Sequence, residues 1–152
     1  DSRGASQGQG DIGESADRFV DLVLLEQYRS ERYNHYFVVA LLNSATLGLP
    51  DLLRLASASF RASDLLGIVD PQGRFHRVMP RSEGRTNLNE TSPNYEGHAV
   101  GILFPETDRA GAQVALNRIT SVLVNNEISI GCAVYPEDST SAEELVAIAA
   151  AM

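Results

Sequence analysis

An α+β fold is what the sequence predicts, and three observations predict it. Four apolar runs rich in β-branched and aromatic residues occur along the chain. Two stretches between them carry apolar residues at helical spacing. The two kinds follow one another in the order β-α-β-β-α-β, with a further helical pattern before the first strand and another after the last.

Residues 16–32 open with a helix: Phe19, Leu22, Val23 and Glu26 share one face, widened by Val20, Leu24 and Tyr28. "HYFVVALL", 35–42, is a continuous apolar run that reads as a buried central strand ended by Asn43. Pro50 suits the first turn of the next helix and Asp51 its positive end; Leu52, Leu55, Ala56, Ser59 and Phe60 mark its inner face. "DLLGIV" and "AVGILF" (99–104) are the second and third strands. "TDRAGAQVALNRITSVLV" is a helix that turns Ala112, Ala115, Leu116, Ile119, Val122 and Leu123 inward. "EISIGCAVY", 127–135, is the fourth strand, and a last helix follows with Thr140 and Glu143 at capping-box spacing. This is a ferredoxin-like core with extra N- and C-terminal helices, and right-handed crossovers set its strand order at 4-1-3-2. That order places Asn43 beside His98 and Ala99 across a sheet edge.

One segment breaks the pattern. Residues 70–97, far longer than a turn, separate the second and third strands. "DPQG" is a turn and "RFHRVM" a strand-like arm, with a polar stretch over Ser82–Pro93 beyond it. Arg74, Arg77, Arg81 and Arg85 make the arm basic, and a solvated loop is the plain reading of it. "NET", 89–91, matches a glycosylation sequon without secretory context.

The 152 residues suit one domain, and a net charge of −8 argues against broad binding to nucleic acid or to an anionic membrane. A small anionic ligand held by two or three arginines stays open. Cys132 is the sole cysteine, which precludes an internal disulfide and fits a reducing, cytoplasmic setting. No apolar run reaches the length of a membrane span, and no signal peptide is visible. Residues 1–15, Gly/Ser-rich, read as a linker or expression remnant. The last residues stop inside a helical pattern, so a piece of a longer protein is expected, or the cytoplasmic part of a membrane-anchored one. His35, His76 and His98 with Cys132 lack metal-ligand spacing; no metal or cofactor is expected. Tyr33, Tyr36 and Phe37 are expected in core or strand-edge packing.

"RSERYNHYFVVALLN", "YEGHAVGILFPETD" and "ISIGCAVYPEDSTSAEELVAIAAAM" together resemble the GGDEF (diguanylate cyclase) domain over residues 16–152, outside the 70–97 insertion. The resemblance implies a nucleotidyl-cyclase type of ferredoxin-like fold. It also implies a dimer that condenses two GTP molecules to cyclic di-GMP, with metal held by an Asp ending the first strand and by an acid in the signature turn. Here Asn43 stands at the first position, and the turn aligns with Glu96, Gly97, His98, Ala99 and Val100. The metal-binding acid has become His98 and the next Glu has become Ala99. The loop between Asn43 and Pro50 also lacks the family's Lys and Asn-Asp pair. Mg²⁺ needs anionic oxygens, and phosphoryl transfer needs the charge neutralised. No cyclase activity is therefore expected.

The family's product-binding site, an Arg-x-x-Asp before the second strand, resembles "RASD", Arg61 to Asp64, and a further Arg on the following long helix falls at Arg118. An Arg fork matches a phosphodiester or a guanine edge, and an Asp accepts from guanine N–H groups. The bland reading is a cation at a helix C-terminus and a solvated flank. The expectation is a degenerate, non-catalytic regulatory domain acting as a cyclic di-GMP receptor through Arg61, Asp64 and Arg118 and signalling to attached or partner output domains, by way of a homodimer. Its rivals are a protein-interaction or dimerisation module without nucleotide, and a residual GTP sensor near Asn43 and Gly97.

Overall fold

The computed structural model describes residues 17–58, 63–77, 97–122 and 128–151. Its elements are β1 (Asp17–Arg18), α1 (Phe19–Tyr33), β2 (Phe37–Ser44), α2 (Leu49–Ser57), β3 (Leu65–Val69), β4 (Arg74–Arg77), β5 (Ala99–Pro105), α3 (Arg109–Val122), β6 (Ile128–Tyr135) and α4 (Ala142–Ala151). They form a six-stranded antiparallel sheet in the order β1-β4-β3-β5-β2-β6. The four core strands keep the order expected from the sequence. β4 and then β1 extend the sheet beyond β3.

Strand β2 reads as an unbroken apolar run because both of its faces are covered. Val38, Ala40 and Leu42 face α2 and α3 in one core, which also takes Leu52, Leu53, Leu116 and Ile119. Phe37 and Val39 face α1 and α4 in the other, with Phe19, Val23, Phe75 and Leu145. The extra terminal helices thus close the face that a bare ferredoxin-like sheet leaves open. No helix among the described residues is long and apolar enough to cross a membrane.

Several boundaries shift. Asp17 and Arg18 pair with Phe75 and Arg74 instead of opening the helix. β2 runs past Asn43 to Ser44, because those two residues pair with Ser129 and Ile128 of β6. α2 covers Leu49–Ser57, and the Ser57 hydroxyl donates back to the Arg54 carbonyl at 2.8 Å; Ser59 and Phe60, expected on its inner face, lie outside the described residues. Ser141, not Thr140, caps α4: its Oγ accepts from Glu144 N at 3.4 Å, and its carbonyl from Leu145 N at 2.9 Å. Tyr33 and Tyr36 do not pack in the core; both residues are more than half exposed, and of the three only Phe37 is buried. The linker at 1–15, and the insertion from residue 78 to residue 96, lie outside the described residues.

The described part of the arm is held by its turn and by Phe75. Asp70 begins its turn: Asp70 Oδ1 accepts from the Gln72 and Arg74 amides, each at 2.9 Å, and Oδ2 lies 3.0 Å from His76 Nε2. Gly73, at φ 86°, closes the turn, and its carbonyl accepts from Phe19 N at 2.8 Å. Phe75 then stacks on Phe19 with ring centroids 5.1 Å apart, which joins β4 to α1. At the opposite edge of the sheet, β6 has β2 as its neighbour. The Val134 N–H donates to Asp138 Oδ2 at 2.8 Å and its carbonyl accepts from Asp138 N at 2.7 Å; Arg109 holds the same carboxylate at 3.0 Å.

Candidate functional site

Among the described residues, a cavity lies at each end of the core strands. The first, about 440 Å³, opens where β2 begins and β5 ends. Asp64, one residue ahead of β3, lines it and is 5% exposed. Arg118 lines it from α3, exposed between the buried Leu116 and Ile119. Two members of the sequence-expected site, far apart in the chain, therefore face one cavity. Arg61, the third, lies outside the described residues.

The β5–α3 loop forms the cavity's rim. Thr107 N donates to the Tyr36 carbonyl at 3.2 Å, and Thr107 Oγ1 to the Pro105 carbonyl at 2.8 Å. Asp108 Oδ1 accepts from Gly111 N at 2.9 Å and so caps α3. Glu106 sits in the left-handed region at φ 52°, 3.6 Å from His35 Nδ1. Tyr36, Glu106, Thr107 and Asp108 all line the cavity. Sequence reading did not assign them there. The signal lay in "PETD", a strand end running into a helix cap, which places a short polar loop beside whatever the sheet end holds.

Behind this rim, on α1, lies Glu26, 5% exposed. Burial pushes its carboxyl up from the ordinary value and the nearby Glu106 adds to this, against the pull of Arg29, 3.1 Å away, and of His35.

The second cavity, about 270 Å³, lies at the other end of the sheet. Leu42 pairs with Val100, and Asn43 with Ser129, so Asn43 stands between β5 and β6 as their ends spread. Asn43, Gly97, Ala99 and Ser129 line the space together with Asp70. His98, half-buried, directly precedes β5; Glu96 lies outside the described residues. Gly97 takes φ 81°, and a Cβ there would come within 3.1 Å of Pro71 Cγ, so Gly97, just ahead of β5, packs on the Asp70 turn. Asp70 is the carboxylate among the described lining residues. Burial works to raise its pKa, but hydrogen bonds from His76 and from the Arg74 and Gln72 amides outweigh this and hold it below the usual carboxylate value. Both of its oxygens serve the turn. Around Asn43 and Ala99 the cavity offers a neutral amide, a hydroxyl and small apolar groups. Among the described residues no group of three or more His, Cys, Asp or Glu is placed to hold a metal ion.

No protein-family model and no curated protein matches the chain. Solved structures do. A DGC protein from Thermotoga maritima superposes with a TM-score of 0.58 at 13% identity, covering 88% of this chain and 89% of that one. The diguanylate cyclase SiaD of Pseudomonas aeruginosa, solved in complex with its activator SiaC, is similar at a TM-score of 0.49 and 16% identity, over 87% of this chain and 53% of SiaD. With its strand order, its doubly covered sheet and the near-full-length superposition on the Thermotoga protein, the chain has the GGDEF-like fold of diguanylate cyclases.

Proposed function

We propose that this is a non-catalytic GGDEF-like domain that receives cyclic di-GMP in the cavity between Asp64 and Arg118 and passes the binding event to attached domains. The observation that carries the reading is the meeting of those two side chains, an acceptor and a guanidinium, at one cavity of about 440 Å³. Arg61, in the same Arg-x-x-Asp, supplies a second guanidinium in this reading. The second cavity supports a lost reaction: where a cyclase needs carboxylates for metal, this chain carries Asn43 and His98, with Ala99 in place of the next acid, and Asp70 beside Asn43 and Ala99 is engaged by its own turn.

Calorimetry with cyclic di-GMP tests the binding. Micromolar affinity, about −8 kcal/mol, is expected for the intact chain. A charge-assisted contact contributes roughly 1.5–3 kcal/mol, so Arg118→Ala is expected to weaken binding roughly 10- to 100-fold. Incubation with GTP and Mg²⁺ is expected to yield no cyclic dinucleotide. Absence of saturable heat at high micromolar ligand refutes the receptor role, and product formation refutes the loss of catalysis.

A second reading, a protein-interaction or dimerisation module, is favoured by Leu25, Tyr28 and Tyr33 of α1, each more than half exposed. It predicts a concentration-dependent dimer that nucleotides do not alter.

A further inference from the structure

We propose that Tyr36 is the stacking platform of the first cavity, and that the ligand is read there as a purine base with two adjacent N–H donors, beyond any anion contact made by Arg118. The inference rests on the receptor reading and names what the site would recognise.

Tyr36 lies between a helix end and a core strand, and its main chain is fixed on both sides. Phe37, the next residue, is fully buried and stacks on Tyr135 at 4.9 Å. Ahead of it, His35 N donates to the Ser30 carbonyl at the C-terminus of α1. The Tyr36 carbonyl itself takes the Thr107 N–H. A residue held this firmly is nonetheless 54% exposed. Val114, on α3, is 56% exposed and lines the same cavity. Large apolar groups left wet on a rigid frame are what a flat aromatic ligand would cover. A fixed aromatic ring loses little freedom on binding, so the contact area is not offset by ordering cost.

The chemistry around the ring selects the base. Glu106 and Asp108 flank Thr107, whose amide is bonded to Tyr36, so acceptor oxygens lie on the rim beside the platform. A carboxylate accepts two parallel N–H groups and repels phosphate. Guanine presents N1–H and its amino group side by side; adenine sets an acceptor next to its amino group. Arg118 remains for the phosphodiester or the opposite base edge. The site therefore fits a guanine-bearing cyclic dinucleotide better than its adenine counterpart.

The test compares cyclic di-GMP with cyclic di-AMP on the intact chain and on Tyr36→Phe, Tyr36→Ala and Tyr36→Trp. Phe is expected to bind like the parent, since the ring and not the hydroxyl is used. Ala is expected to lose roughly ten- to a hundred-fold in affinity, the range for removing one stacked base. The chain has no tryptophan, so Tyr36→Trp adds a lone indole, excited selectively above the tyrosine band, whose emission stacking would quench, a readout that survives if the Ala variant fails to fold. Cyclic di-AMP is expected to bind at least tenfold more weakly. If the parent binds cyclic di-GMP but Ala matches it, or Trp is not quenched, or the adenine ligand binds equally, this inference is overturned and the receptor reading stands. If the parent binds neither ligand, both fall.

Discussion

Replacing Asp70 by alanine tests the device that holds the arm. Its carboxylate, 13% exposed, accepts from the Gln72 and Arg74 amides at 2.9 Å each and meets His76 Nε2 at 3.0 Å. Hydrogen bonds to a charged group contribute about 1.5–3 kcal/mol each when buried. Both amides here are near solvent and can regain water, so the low end applies and a loss of about 2–4 kcal/mol is expected. The sign with pH follows from the lowered carboxyl of Asp70. A group whose folded value lies below its unfolded one stabilises above the unfolded value, near 3.8, and that contribution disappears as pH falls through the folded value. The gap between parent and Asp70→Ala is therefore full at pH 7 and closes in strong acid. Urea unfolding at pH 7 and pH 2.5 measures the gap, and hydrogen exchange at Phe75 and His76 reports whether the arm loosens first. A gap of equal size at both pH values would refute the argument, because a carboxylate that does not titrate with folding cannot be the source.

Two further outcomes follow from the packing. Gly67→Ala puts a Cβ against the His76 carbonyl, with Phe75 Cζ at 2.8 Å and Arg77 Cα at 2.9 Å, so β4 must move off β3. A loss of about 1–3 kcal/mol is expected, with lowered protection in the arm, read by chemical denaturation and hydrogen exchange. Glu26→Gln removes a carboxyl whose value burial raises. Such a group stabilises below its unfolded value and loses that contribution as pH rises through the folded one, so the variant is expected to gain on the parent between pH 4 and pH 7 in urea midpoint.

Much of the core order was legible because its signals are local and strong. The run "FVVALL" can be satisfied only in a strand covered on both sides, and the spacing of Ala112, Leu116 and Ile119 only on a helix packed against it. The arm was visible in "DPQG" followed by alternation. The short strand β1 was not: two residues carry no periodicity, and Asp17 and Arg18 are extended only because Phe75 and Arg74 lie opposite. Asp64 and Arg118 could be paired in advance through a likeness of motifs, whereas Tyr36 could not be assigned to the cavity. An aromatic residue beside an apolar strand looks like core, and its exposure is decided by where the β5–α3 loop folds over it.

Asp138 has a consequence for how copies of this domain can meet. A free strand margin invites another chain to continue the ladder, and charge near that margin discourages it. Here the acid goes further and imitates the visitor: it occupies both main-chain groups of Val134, while Arg109 keeps it seated. Any newcomer zipping along β6 would have to evict it before reaching the strand's end. Self-association through side chains, such as the wet tyrosines of α1, leaves that lock undisturbed.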